Sequence, residues 1–228
     1  MMLKFIILLF CSAIWGVACL GTIKVCQNKQ CCRRFPGKAS DLVQTIRQIT
    51  NDYNIESTGC LSHCDDGPNI CIDGKIENGI NSAAVAAAVL EINKDAIINP
   101  TLLAACQVME KAEQATTLSE KERNLNSVIS ALTKQEEEHK ICLAQALIMR
   151  AQLGLDYTDA PLEQAQTDAR RAVVLDPQHP NVWRVLADIE LDMGNSAQAI
   201  EALQKWAENQ PKFATKVNKE LQRLSLLT

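Results

Sequence analysis

Several chemistries are missing from these 228 residues. There is no surplus of positive charge, since 23 Lys and Arg stand against 27 Asp and Glu for a net of −4, and this argues against a nucleic-acid binder driven by overall basicity. The three histidines, His63, His139 and His179, are scattered. No phosphate-cradling glycine loop follows a strand, and no nucleophile elbow occurs. The Cys-x-x-Cys of thioredoxin activity is absent too, so no catalytic constellation is left and no enzyme is expected. With 47% hydrophobic and 22% charged residues, the chain can still bury a core and is not a disordered charged tail. One or two compact domains fit its length.

Cysteine and glycine become scarce part-way along. Eight of ten cysteines precede residue 72 and seven of nine glycines precede residue 80, after which Ala, Leu, Glu, Gln and Lys dominate. Charge divides as well: residues 1–94 hold nine basic and eight acidic side chains, and residues 95–228 hold fourteen and nineteen, nets of +1 and −5. A small, loop-bearing, cysteine-rich module followed by an all-helical one accounts for both shifts.

Before either module, Phe5 to Leu20 is an uncharged apolar run of sixteen residues behind Lys4. That is shorter than the ~20 residues that cross a bilayer comfortably, and Gly16-Val17-Ala18 offers a small-x-small cleavage site, so residues 1–20 read as a signal-like segment. Secretion and a membrane anchor both fit this start. Cleavage before Cys19 removes Cys11 from the count, and Cys19 also faintly suggests a lipid-attachment box.

Residues 21–94 read as β-α-β-β-β-α. Thr22–Cys26 alternates as a short strand and leaves through a polar loop to Arg34. Asp41 is placed as a helix N-cap before Leu42, Val43, Ile46 and Ile49. A second strand falls on Tyr53–Ser57, and Asn69–Asp73 with Lys75–Glu77 forms a hairpin about an Asp-Gly turn. Ser82–Asn93 closes the module as a helix. Gly59 and Gly67 are candidates for positive φ or a close backbone approach.

The chemistry lies in two pairs, Cys26-x4-Cys31 and Cys60-x3-Cys64, in loops that such a fold brings to one edge. Four converging thiolates suit a 2Fe-2S cluster, tetrahedral zinc or, in an oxidising compartment, disulfides. Spacing alone leaves all three open. The stretches Val25-Cys26-Gln-Asn-Lys-Gln-Cys31-Cys32-Arg33-Arg34 and Gly59-Cys60-Leu-Ser-His-Cys64-Asp-Asp-Gly67-Pro68-Asn69 closely resemble the thioredoxin-like 2Fe-2S ferredoxins, over about residues 21–94. The resemblance implies a 2Fe-2S cofactor held by Cys26, Cys31, Cys60 and Cys64, with Cys32 able to replace Cys31 by a small shift. Cys71 stands where the family usually has an aliphatic residue and is expected as a small buried hydrophobe. His63 is read as a solvent-facing loop residue or a donor to the site. Lys24, Lys29, Arg33, Arg34 and Lys38 all precede Asp41, a basic loop that could offset the charge of the site or steer an acidic redox partner.

Residues 95–228 read as helices at about 101–115, 119–133, 138–153, 162–175, 181–193, 197–209 and 213–225. Ala165 and Ala199, Ala172 and Trp206, and Pro177 and Pro211 are each 34 residues apart, the tetratricopeptide length. Trp183, Leu186, Ala187, Gly194, Ala199 and Pro211 resemble that repeat family in the last unit, as do Gly154, Ala165, Ala172 and Pro177 in the unit before. Glu190 and Trp206 depart from it, and the loop around Asp156–Pro161 is expected to carry six extra residues, since Gly154 to Ala165 spans eleven residues where Gly194 to Ala199 spans five. Cys106 and Cys142 are expected in the core, and Glu136–Glu138 as a solvated helix start.

The expected fold is thus α+β in two modules, an N-terminal thioredoxin-like α/β domain and an all-α tetratricopeptide-type helical repeat domain at about 101–228. Such a combination resembles chloroplast proteins of photosynthetic eukaryotes, which favours a plastid. The leading expectation is a 2Fe-2S protein for electron transfer or redox sensing, docked to protein partners through its repeats. The alternative is a cluster-free interaction scaffold whose first domain is held by disulfides or zinc.

Overall fold

The computed structural model describes residues 21–34, 38–50, 53–63, 65–94, 96–157, 160–211 and 214–225, and the signal-like segment lies outside them. The chain is α+β, mostly helical, with one small four-stranded sheet near its N-terminus. Two compact units meet between Asn99 and Pro100. Asn99 belongs to the first, because its N–H donates to the Ile49 carbonyl at 3.3 Å. No helix among the described residues is long and apolar enough to cross a membrane.

In the first unit the period-2 alternation of β1 (Thr22–Cys26) buries Ile23 and Val25 and exposes Lys24. β2 (Asn54–Thr58) runs parallel to β1, with Cys26 opposite Thr58. β3 (Ile70–Ile72) lies antiparallel on the other side of β1, and β4 (Lys75–Glu77) follows it, for a strand order of β2-β1-β3-β4. Asp73 and Gly74 join β3 to β4 with φ of 50° and 85°, the two left-handed residues that a tight hairpin matched to strand twist requires. The crossover from β1 to β2 runs through α1 (Lys29–Arg34) and α2 (Lys38–Ile49). α2 packs Leu42, Val43, Ile46 and Ile49 toward β1, β2 and the buried face of α3 (Ala83–Lys94), which presents Ala83, Ala86, Ala87 and Leu90. Ser82 caps α3, its Oγ accepting the Val85 N–H at 3.3 Å.

Three local expectations are corrected here. The polar stretch after Cys26 is not all loop, since α1 occupies six of its residues. α2 starts at Lys38, which puts Asp41 inside the first turn instead of at the cap. Cys71 is half-buried and not part of the core. Its neighbours across the sheet are Lys24 and Ile76, on the face opposite Ile70 and Ile72, and that face is only partly covered.

The second unit is a succession of helices: α4 (Pro100–Gln114), α5 (Leu118–Leu132), α6 (Glu136–Asp156), α7 (Leu162–Leu175), α8 (Val182–Asp192), α9 (Ser196–Asn209) and α10 (Ala214–Ser225). Thr117 caps α5 by accepting the Glu120 N–H at 3.3 Å. α6 begins at Glu136 behind a short 3-10 turn and carries Glu136, Glu137 and Glu138 in its first turn, where acidic groups complement the helix dipole. Each helix packs on the next in sequence. α4 also packs on α6, and α6 on α8. Cys106, Cys142, Leu143, Leu147, Ala165, Ala169, Ala187, Ile189, Ala199 and Trp206 lie in this core.

Candidate metal centre

Strand direction decides where the cysteine loops go. Because β1 and β2 are parallel, their C-terminal ends lie at the same end of the sheet, and the loops carrying Cys31 and Cys60 both start there. β3, being antiparallel to β1, enters from that end. Backbone bonds tie the three segments: the Gln27 N–H donates to the Thr58 carbonyl at 2.9 Å and the Cys26 N–H to the Asn69 carbonyl at 3.0 Å.

Cys26 ends β1 at 1% exposure and Cys31, in α1, is fully buried at 0%. The two pack together, with the half-buried Leu61 of the second loop against them. Cys60 stands exposed in that loop, and its Sγ accepts the Ser62 N–H at 3.3 Å. Amide donors to sulfur are what stabilise a thiolate or a sulfur-ligated metal. Cys64 and the side chain of Cys32 lie outside the described residues. Among the described residues no three Cys, His, Asp or Glu side chains form a group that could hold a metal ion. What the fold brings together is therefore the pair Cys26 and Cys31, with Cys60 on the neighbouring loop.

In the second loop Ser62 is left-handed, with φ of 67°, whereas Gly59 has an ordinary φ and open space around its Cα. The conformation aims the Ser62 amide back at Cys60. His63 is exposed and contributes its carbonyl, which accepts Asn69 Nδ2–H at 2.5 Å. Asn69 is 1% exposed, and its Oδ1 has no hydrogen-bond partner among the described residues. Arg34 of α1 forms an ion pair with Asp65, so one cation of the basic stretch bridges the two cysteine loops while Arg33 stays exposed.

Sequence reasoning named the cysteines but gave no role to Ser62, Asn69 or the Arg34–Asp65 pair. The opposed charges of Arg33-Arg34 and Asp65-Asp66 carry a signal for the last. Nothing local marks Ser62, because a serine with positive φ is uncommon. Compared with known protein families and curated proteins, the chain matches no family model and no curated sequence.

Proposed function

We propose that this chain is a 2Fe-2S protein for electron transfer or redox sensing, and that its helical unit docks it to protein partners. The observation that carries the reading is the buried contact between Cys26 and Cys31 at the sheet end where the Cys60 loop also begins. Cys26, Cys31, Cys60 and Cys64 would hold the cluster, which when bound supplies one-electron redox chemistry. The donor set is all sulfur, as such a cluster requires. Around it the chain's own residues do separate work. The Ser62 amide donates to Cys60, Leu61 packs on the buried pair, and Arg34 forms an exposed ion pair with Asp65 of the second loop. Lys24 and Arg33, both exposed, remain free to steer an acidic redox partner.

The finer fold belongs to the same proposal. The β-α-β-β-β-α order with a parallel β1–β2 pair supports a thioredoxin-like first domain. Hairpins in which α4 meets α6 and α6 meets α8, together with the 34-residue spacing, support tetratricopeptide-type repeats. Two or three such repeats offer a surface for a peptide or protein segment.

Protein purified without oxygen should be brown and contain about two irons and two sulfides per chain. Cys60→Ser should abolish the colour and Cys71→Ala should leave it, while Cys31→Ser should alter the spectrum through substitution by Cys32. Colourless protein with stoichiometric zinc, or with Cys26 and Cys31 oxidised to a disulfide, would make the cluster-free scaffold the correct reading.

A further inference from the structure

Among the described residues of the first unit, Asn69 is the most deeply buried polar one, at 1% exposure against 5% for Gln48 and Thr50. It stands one position before β3, where the second cysteine loop rejoins the sheet, and it bonds to both cysteine segments. Its backbone carbonyl accepts the Cys26 N–H at 3.0 Å, which carries the β1–β3 pairing one residue past Val25 and Ile70. Its side chain reaches back along the loop, where Nδ2 donates to the His63 carbonyl at 2.5 Å. The same carbonyl accepts the Asp66 N–H at 3.2 Å and closes a turn over 63–66, the stretch of sequence that contains Cys64. One residue thus links the backbone of Cys26 to the turn that carries Cys64.

Stability alone does not account for an asparagine there. Its Oδ1 has no hydrogen-bond partner among the described residues, and a buried acceptor without a donor opposes folding. A leucine of similar size would fill the position without that penalty, and the Asp66 N–H would still satisfy the His63 carbonyl. What leucine cannot do is bond to His63. We propose that Asn69 is a positioning residue of the cysteine centre, tying the turn that carries Cys64 to the end of β1 and so fixing how far that turn stands from Cys26. The inference rests on the reading of that centre as a cluster site. Asn69 acts in it through the His63 carbonyl and not as a ligand, and a neutral amide does so without adding charge beside four thiolates. Groups that orient the ligands of a metal tune both its affinity and its potential.

The test compares the full chain with Asn69→Leu, each loaded with iron and sulfide without oxygen. The variant should give up its iron to a competing chelator at roughly 10- to 100-fold lower chelator concentration, and the paramagnetic resonance spectrum and reduction potential of its cluster should shift. Amide exchange over residues 22–26 and 70–72 in reduced, cluster-free protein should match the parent, because the sheet keeps its backbone bonds. His63→Ala, which retains the carbonyl, should behave as the parent throughout. A variant that holds iron as tightly as the parent, with the same spectrum and potential, overturns the role of Asn69 and leaves the cluster reading standing. A parent that binds no iron overturns both. An equal effect from His63→Ala would also overturn the proposal, since the histidine ring and not the Asn69 bond would then matter. If Asn69→Leu loses the exchange protection of the sheet, Asn69→Ala is measured in the same way, and loss of protection there too makes Asn69 a folding residue and the proposal wrong.

Discussion

Acid should weaken the helical unit through one histidine before most carboxylates protonate. His179 precedes α8 and is 4% exposed. Its Nε2 lies 2.7 Å from Gln145 Oε1 on α6, and its Nδ1 accepts the Asn181 N–H at 3.2 Å. These partners define the neutral tautomer with the proton on Nε2, and a proton added to Nδ1 would meet a donor. Burial lowers the pKa from 6.5 to about 4. As pH falls, the unfolded chain therefore takes up this proton before the folded one. The stabilisation is complete above the unfolded value and is withdrawn between pH 6.5 and about pH 4. At 1.36 kcal/mol per unit the whole effect is about 3 kcal/mol, of which about 2 kcal/mol is lost between pH 7 and pH 5. Asp188 on α8, whose carboxyl is raised mainly by burial and pulled back by Arg184, works in the opposite direction. Urea unfolding followed by tryptophan fluorescence reads the region directly, since Trp206 donates to the Pro180 carbonyl at 3.1 Å, next to His179. His179→Gln, which keeps a polar side chain but cannot titrate, should lose about 2 kcal/mol less than the parent between the two pH values. Equal losses in parent and variant would refute the assignment.

Two further substitutions test the packing of this unit. Glu190→Ala should cost about 2–3 kcal/mol in urea unfolding, because Glu190, 1% exposed, accepts from Gln166, Arg170 and Asn195; a cost below about 0.5 kcal/mol would mean that these donors find water. Gly154→Ala should cost about 1–3 kcal/mol by overpacking, since its new Cβ would sit 2.6 Å from Ala165 Cβ, and Ala165→Gly in the same chain should recover part of that loss.

Local signals were legible and distant ones were not. The strand at 22–26 and the helix at 162–175 agree with the sequence reading residue for residue, because alternation and 3.6-residue periodicity are written in neighbouring positions. α1 was hidden since Cys-Cys-Arg-Arg offers no apolar period; Cys31 buries against Cys26 and Leu61, one of them in another loop. Polar residues in the helical core were hidden for a related reason. Arg150 with Asp168, at 2.7 Å, and Glu190 with its donors read singly as surface groups, and only the tertiary fold supplies the partners that make their burial affordable in energy. Glu190 was at least visible as a departure from the repeat pattern. For the proposed cysteine centre, the sequence named which sulfurs to watch, while the Ser62 amide that meets Cys60 depends on a left-handed backbone that composition does not foretell.

Gly154 and Gly194, 40 residues apart and so outside the 34-residue spacing of the alanines and prolines, show how far a resemblance between hairpins can be trusted. Gly194 follows α8 with φ of 77° and open space around its Cα, so its freedom from a Cβ serves the backbone turn. Gly154 instead lies inside α6 with an ordinary helical φ, and its missing Cβ makes room for Ala165 of α7. α6 continues to Asp156, so part of the extra length assigned to the loop is helix. Matching glycines thus do different work in successive hairpins. The feature that does recur is a small buried residue near the start of the second helix, Ala165 in α7 and Ala199 in α9, 3% and 0% exposed. That recurrence follows from close helix approach, which admits only a small side chain wherever two axes cross tightly. What the two hairpins share is therefore a small buried residue in the second helix and not a common turn.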